Sequence, residues 1–369
     1  MTTAGTRPPI RVLDLSGSPG QIGRRHGEAH GAEIRTYAAE RIALVAGGAW
    51  SGGPLDRADV LDLAGSMVPA NEAFDAAMHE ELLAMAEAAG ITPAEAIVVG
   101  GFTDFVDTVR AELGGPTPAE LVEDDCTAVL VPTGRAADGH AIYGQTWDMH
   151  DLATDHVLLL RIDPDDGPPA VVFTTTGCVG QIGMNAEGVC VGINNLSGLD
   201  GTRGVTWPTV VRRMLRCDRA ADALAVLLDA DLAGAHNFCI LDRHGTGHNV
   251  EAMPSVRAST PLRNEPLVHT NHTLDPATST VEVDRDPILQ ANSAERHQTA
   301  TAMLADGPID AERVMDVTRE PTAICQKSAP PFHIESSGAT VMRPATGDFW
   351  ACWGRPEENP YVKVELPGR

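Results

Sequence analysis

The chain has 369 residues, 43% of them apolar and 21% charged, near globular averages and enough to bury a sizeable core without disulfides or metals. Its 51 acidic side chains against 27 basic ones give a formal charge of −24, a field that repels phosphate backbones and argues against sequence-independent nucleic-acid binding. No stretch approaches the roughly 20 apolar residues of a membrane span, and the opening MTTAGTRPPIRVLDL carries no apolar core behind a basic end, so neither a membrane anchor nor a signal peptide is expected.

In chain order, residues 10–15 read as a short strand. Ser18-Pro19 opens a helix over 19–46, and helical patterns recur over 56–76, 78–89 and 93–110. Phe74, Met78, Leu82, Met85 and Ala89 fall at helical steps, one buried face. Thr92-Pro93-Ala94-Glu95 is an N-cap with proline in the first turn. A Gly/Pro/acidic run from Gly114 to Asp125 then marks the best internal boundary. Beyond it the character changes to strands and hairpins: 126–132 with 140–147, 156–162 with 170–176 around DPDDGPP, and 181–185 with 189–197. A helical segment with a break near Asp218 spans 207–232. A further hairpin (236–242, 248–254), helices at 292–305 and 309–319, and three short closing strands complete the chain. Runs of helices and runs of strands predict an α+β fold with antiparallel sheets and no doubly wound parallel sheet.

Several familiar site patterns are missing: there is no GxSxG, P-loop or GxGxxG. GCVGQIG (177–183) reads as tight turns between strands. His26 and His30 stand four apart on a helix without a clear third ligand, so no metal is expected. Arg212, Arg213 and Arg216 read as a solvated helix face. The seven cysteines are odd in number and form no CxxC, which points to reduced thiols and a cytoplasmic setting. Cys126 stands apart because it opens a strand directly after an acidic, turn-prone run; read alone, it is either a small buried hydrophobe or a nucleophile. Asp148 ends the partner strand, so a hairpin brings it to the same sheet end, as a turn acid or a site acid. Asn194, Asn195 and Asn271 lie in apolar contexts, where an amide either bridges backbone or donates to a developing oxyanion.

Taken in order, GSPGQIGRRHGEAHGAEI (17–34), CTAVLVP (126–132), GQTWDMH (144–150), GQIGMNAEGVCVGINNLSG (180–198), HNFCILDRHG followed by VEAMP, and HTNH (269–272) resemble the penicillin acyltransferase-like family of self-processing N-terminal-nucleophile enzymes, peptidase family C45. The resemblance implies a four-layer αββα sandwich of two antiparallel sheets. It makes 1–125 a mainly helical segment and 126–369 a catalytic segment, cleaved apart but associated as one structural unit. Cys126 would be the nucleophile and first residue of the mature catalytic chain, and Asp148 an aspartate of processing or catalysis. Asn271 would be the oxyanion amide, with Asn195 as second choice. An arginine of the last third is also implied, and Arg296 and Arg343 both qualify. Two departures stand out. Asp125 replaces the family's glycine at the cleavage site, a backbone handicap that predicts cleavage of Asp125→Gly at least as fast as wild type. VVGGFTDFVD replaces a block bearing Asn and Arg near Glu.

The implied chemistry suits these residues. A chain-terminal cysteine carries its own base, since an α-amine with pKa near ~7.7–8.0 can take the thiol proton and return it to a leaving amine. The expected substrate is a small-molecule N-acyl amine or an acyl thioester, with no cofactor and no metal. Two other readings remain at this stage: an unprocessed thiol hydrolase using His269 or His272 as base, and a catalytically silent binding protein on the same fold.

Overall fold

The computed structural model describes residues 10–114 and 125–367; most of the expected boundary run, and the extreme N-terminus on which the signal-peptide expectation rests, lie outside these. The described residues begin with β1 (Val12–Gly17) and five helices: α1 (Pro19–Gly47), α2 (Arg57–Phe74), α3 (Ala76–Ala89), α4 (Pro93–Gly100) and α5 (Phe102–Glu112). Six strands follow: β2 (Asp125–Val131), β3 (Ile142–His150), β4 (Val157–Pro164), β5 (Ala170–Thr175), β6 (Ile182–Asn185) and β7 (Val189–Asn195). Helices α6 (Trp207–Met214) and α7 (Ala220–Leu228) precede β8 (His236–Asp242), β9 (Gly247–Ala252), β10 (Arg257–Pro261) and β11 (Leu267–His269). Helices α8 (Pro287–Met303) and α9 (Ala311–Arg319) precede β12 (Ile334–Arg343), β13 (Asp348–Trp353) and β14 (Val362–Val364).

The strands form two sheets, one ordered β1-β4-β5-β6-β7-β8-β9-β10 and the other β11-β2-β3-β12-β13-β14. Among the described strands every pairing is antiparallel except β1 with β4, a parallel edge pair made possible by the long connection between them, which runs through α1–α5 and the β2–β3 hairpin. Side-chain alternation sorts the strands into layers. Ala128, Leu130, Tyr143 and Trp147 of the smaller sheet meet Leu159, Phe173, Cys190 and Leu241 of the larger one in a single core. The opposite face of the larger sheet, with Leu160, Val191 and Phe238, packs under Val210, Met214 and Leu227 of α6 and α7. The opposite face of the smaller sheet, with Val129, Val131 and Val341, packs under Ala300, Val314 and Val317 of α8 and α9. Helix, sheet, sheet, helix is the four-layer αββα sandwich.

Helices α1–α5 add a cluster whose apolar faces join the inter-sheet core, as Ile34, Tyr37, Phe102 and Phe105 do. The helix expected over 93–110 is two, because the chain must turn at Gly101: a Cβ there would lie 2.7 Å from Thr206 Cγ2. The glycines of the GQIGRRHGEAHG stretch let α1 lie directly on α3, where a Cβ on Gly23 would sit 2.0 Å from the Glu81 carbonyl oxygen. His26 of that stretch is buried, and its neutral Nε2 accepts the Gly177 N–H at 3.2 Å. Helix α8 starts earlier than expected, at Pro287, capped by the Asp286 carboxylate on Ile288 N. Strands β10 and β11, short and with partial burial, were not visible in the periodicity. Among the described residues no single helix is long and apolar enough to cross a membrane.

Candidate active site

The hairpin β2–β3 sets Asp125 opposite Asp148, Cys126 opposite Trp147 and Thr127 opposite Thr146. Alternation sends the Cys126 side chain into the inter-sheet core with Ala128 and Leu130. Asp125 and Thr127 face α8 instead, as their contacts with Arg296 show. The residues of the GQTWD run divide the same way. The Gln145 amide reaches across to the Ile193 carbonyl of β7 and ties the two sheets together. Trp147 stands edge-on to Phe173 of the larger sheet at 6.3 Å. Asp148 turns to the α8 side. Cys126 is 0% exposed in the uncut chain.

The peptide bond between Asp125 and Cys126 is gripped from several directions. The Cys126 N–H donates to Asn271 Oδ1 at 2.6 Å. Arg296 Nη2 donates to the same oxygen at 3.1 Å, so two donors fix which end of the amide is oxygen. The other end, Nδ2, donates to the Asn195 carbonyl at 3.0 Å and keeps a second N–H. Arg296 Nη1 donates to the Cys126 carbonyl and, at 3.2 Å, to Thr127 Oγ1. Arg296 Nη2 and Arg285 Nη2 converge on one carboxylate oxygen of Asp125, at 2.6 and 3.1 Å. The side chains of Arg285, Arg296 and Asp125 are 1%, 0% and 2% exposed, so this clamp is closed to water. Charge-assisted bonds of this kind are the strong ones, and burial removes the screening that weakens them at a surface.

Helix α8 supplies Arg296 of the clamp, and Arg285 lies just before its first turn. Leu289, Ser293, Arg296 and Ala300 are its buried face, at steps of three and four. That face carries an arginine and a serine inward together. Ser293 Oγ accepts the Asn271 N–H at 2.9 Å, and Arg285 Nη1 donates to the Asn271 carbonyl at 2.9 Å, so the asparagine backbone is fixed as well as its amide.

Of the residues the sequence singled out, Asp125, Cys126, Asn271 and Asn195 are brought together, although Asn195 contributes its carbonyl and its own Oδ1 has no hydrogen-bond partner among the described residues. Arg296 and Arg343 separate cleanly. Arg296 is in the clamp, whereas Arg343 pairs with Asp138 and Asp348 at the edge of the fold. Asp148 lies across the sheet from the Cys126 thiol and beside Asp125. Its carboxylate accepts from Ser336 Oγ at 2.6 Å and from Thr146 Oγ1 at 3.2 Å. Burial pushes the Asp148 carboxyl up to about 7, with the Arg296 charge and the Ser336 bond working the other way. Its hydrogen-bonded link to the thiol strand runs through Thr146, whose Oγ1 accepts the Thr127 N–H at 3.1 Å.

Neither histidine of the alternative reading is placed as a base. His269 Nδ1 meets the Thr270 carbonyl at 2.7 Å and Nε2 meets Glu251 at 2.9 Å, so both ring nitrogens face acceptors. His272 Nδ1 lies 2.8 Å from Ser293 Oγ, and burial, with its histidine neighbours, pushes its pKa down to about 4. Arg285, Ser293 and Ser336 were not legible beforehand. For Ser293 the helical spacing of α8 was a usable signal; for Arg285, in the run VEVDRDP, there was none.

In this αββα sandwich a cysteine stands at the head of β2, its backbone N–H on a buried asparagine and its carbonyl on a buried arginine, and the chain is an enzyme for acyl transfer at carbon–nitrogen amide bonds. Residues 135–358 match the family described as Acyl-coenzyme A:6-aminopenicillanic acid acyl-transferase, and the chain belongs to that family. It is 25% identical over 267 residues to the acyl-coenzyme A:6-aminopenicillanic-acid-acyltransferase 40 kDa form of Emericella nidulans, covering 71% of this chain and 69% of that one. Similar solved structures include a mutant of the conjugated bile acid hydrolase of Clostridium perfringens, with TM-score 0.47, 10% identity and coverage of 66% and 93% of the two chains. Another is the penicillin V acylase of Agrobacterium tumefaciens, with TM-score 0.45, 12% identity and coverage of 66% and 87%.

Proposed function

We propose that this chain is a self-processing cysteine amidohydrolase or acyltransferase whose nucleophile is Cys126. The observation that carries the reading is the bond from the Cys126 N–H to Asn271 at 2.6 Å, which holds the nitrogen that must leave. In processing, the Cys126 thiolate attacks the Asp125 carbonyl carbon. The C–N bond breaks, the nitrogen gains a proton and becomes an amine, and a thioester joins Asp125 to the sulfur. Water then hydrolyses the thioester, giving an Asp125 carboxylate and a free thiol. Asn271 keeps hold of the new amine through Oδ1.

The same groups then serve turnover. The α-amine of Cys126 takes the thiol proton, the thiolate attacks the carbonyl of a small N-acyl amine, and the amine leaves with the proton returned. The second N–H of Asn271 Nδ2 is the donor available for the developing oxyanion; losing one such donor typically costs about 10²–10³ in turnover. Water or another amine takes the acyl group from the thioester.

Intact-mass analysis of the purified protein tests this. Wild type should give fragments of about 13 and 26 kDa, on uniform mass per residue for a globular composition, and Cys126→Ala should stay at full length with no amidase activity. A wild-type chain that stays whole and yet hydrolyses an amide would overturn the free-amine mechanism.

A further inference from the structure

Helix α1 carries an arginine inward along with its apolar stripe. Ile34, Tyr37, Ala38, Arg41, Ile42 and Val45 are buried positions of that helix, and Arg41 is 4% exposed. Its guanidinium lies over the Tyr37 and Phe102 rings, 4.4 and 4.7 Å from their centres, and Nη1 donates to the Val99 carbonyl at 2.9 Å. The four other buried arginines each have an acid: Arg110 has Asp107, Arg212 has Glu81, and Arg285 and Arg296 share Asp125. Among the described residues no carboxylate pairs with Arg41.

Arg41 borders a cavity of about 10 Å³, the room of one water-sized sphere. Arg41, Phe102 and Thr103 wall it from the chain before Cys126, and Trp147, Gln181 and Trp207 from the chain after it. Trp147 is the register partner of Cys126. Gln181 is buried, and its Nε2 has no hydrogen-bond partner among the described residues. The Thr103 hydroxyl is engaged elsewhere, accepting from Trp207 Nε1 at 3.0 Å and lying 2.9 Å from His236 Nε2. No Asp or Glu is among the walls. We infer that this cavity binds a small inorganic anion of chloride size, held by the Arg41 guanidinium and the Gln181 amide.

Charge and size together choose the ligand. A buried cation is costly without a counter-charge. The ring faces and the Val99 carbonyl offset part of that cost but bring no full negative charge. A water would satisfy the Gln181 amide and leave the guanidinium uncompensated. A carboxylate, with three heavy atoms, exceeds the room. A single-atom anion meets both demands, and no acidic wall repels it. The net charge of −24 does not gather anions over the molecule as a whole, so the site must act through these local donors. Because its walls come from both sides of Cys126, the bound anion ties the leading helices to the sheets, whether or not the chain is cut.

The test uses the full wild-type protein in sodium gluconate, with chloride replacing gluconate at constant ionic strength and pH. Thermal melts should rise with chloride by about 2 °C and then level off, as binding to the folded state alone requires, and bromide should act in the same way. Arg41→Met should abolish the rise. Gln181→Leu, which removes one neutral donor and keeps the volume, should raise the half-saturating chloride by about tenfold or more, as loss of a hydrogen bond to a charged group implies; it keeps the test decisive if Arg41→Met does not fold. Crystals grown in sodium bromide should show an anomalous scattering peak beside Arg41 and Gln181. A melting temperature indifferent to chloride, a chloride effect unchanged in Gln181→Leu, or density at the cavity without anomalous signal would each overturn the proposal, the last in favour of a bound water.

Discussion

Asp125 is where two single-residue effects oppose each other. A glycine in its place would gain backbone freedom at the proposed scissile bond, worth about 0.5–1 kcal/mol. It would also lose the bonds from Arg285 and Arg296 to the Asp125 carboxylate, which hold the residue that bears the proposed scissile carbonyl, and charged hydrogen bonds contribute about 1.5–3 kcal/mol. The clamp is the larger effect. Asp125→Gly is therefore expected to cleave several-fold more slowly than wild type in a mass time course, the reverse of what the sequence alone predicts. Cleavage at or above the wild-type rate would show that the clamp does not position the bond. Asp148 gives a prediction in pH. Its folded carboxyl is raised to about 7 from 3.8, so between those values the folded chain holds a proton that the unfolded chain releases. Its contribution to stability therefore falls as pH rises through that window. In the uncut Cys126→Ala background, Asp148→Asn should remove this loss, so urea melts of the two proteins should diverge between pH 4.5 and pH 7, the Asn variant gaining relative to its parent. Parallel behaviour would mean that Asp148 titrates normally.

Among the elements, α1 is held by contact so close that helix propensity is overridden. Alanine exceeds glycine inside helices by about 0.8–1.0 kcal/mol, yet a Cβ on Gly23 would press on the Glu81 carbonyl of α3 at 2.0 Å, backbone that cannot step aside. Gly23→Ala should thus destabilise by about 1–3 kcal/mol, the usual cost of overpacking. Gly47, at the exposed end of the same helix, has nothing within 4 Å of its Cβ position. Gly47→Ala should be neutral or stabilising by up to about 1 kcal/mol. Thermal melts of the two variants decide it, and equal shifts would mean that the α1–α3 contact yields. The same helix-face logic makes α8 the carrier of the site, since its inward face brings Ser293 and Arg296 to the head of β2.

Across the whole molecule, the segments before and after Cys126 share one core. Tyr37, Phe102 and Phe105 pack in the same cluster as Trp147, Met149 and Phe173. Burial of that kind does not depend on a peptide bond between the pieces. The fragments of about 13 and 26 kDa are therefore expected to co-elute on gel filtration and to separate only in denaturant. Separation in native buffer would mean that the helices before Cys126 are held mainly by the chain connection.

The sequence by itself determined most of the elements and singled out Cys126 as the proposed nucleophile. Periodicity, caps and turn residues are written within about ten neighbouring positions, which is why the first three helices, the span of α4 and α5 read as one, most hairpins and the strand head at Cys126 were legible. The order of the motifs also pointed to Asp125, Cys126, Asn271 and Asn195 before any geometry was known. What it left open was decided by contacts across long stretches of chain. Arg296 meets Asp125 across 171 residues and Asn271 meets Cys126 across 145, and no local pattern distinguishes that arginine from Arg343. The side of the sheet on which Asp148 lies depends on β-strand register, where one step exchanges the two faces. Asp125 looked like a handicap in the sequence because it lacks the backbone freedom of glycine at the proposed scissile bond; folding brings two buried arginines to its carboxylate, and no local pattern shows them.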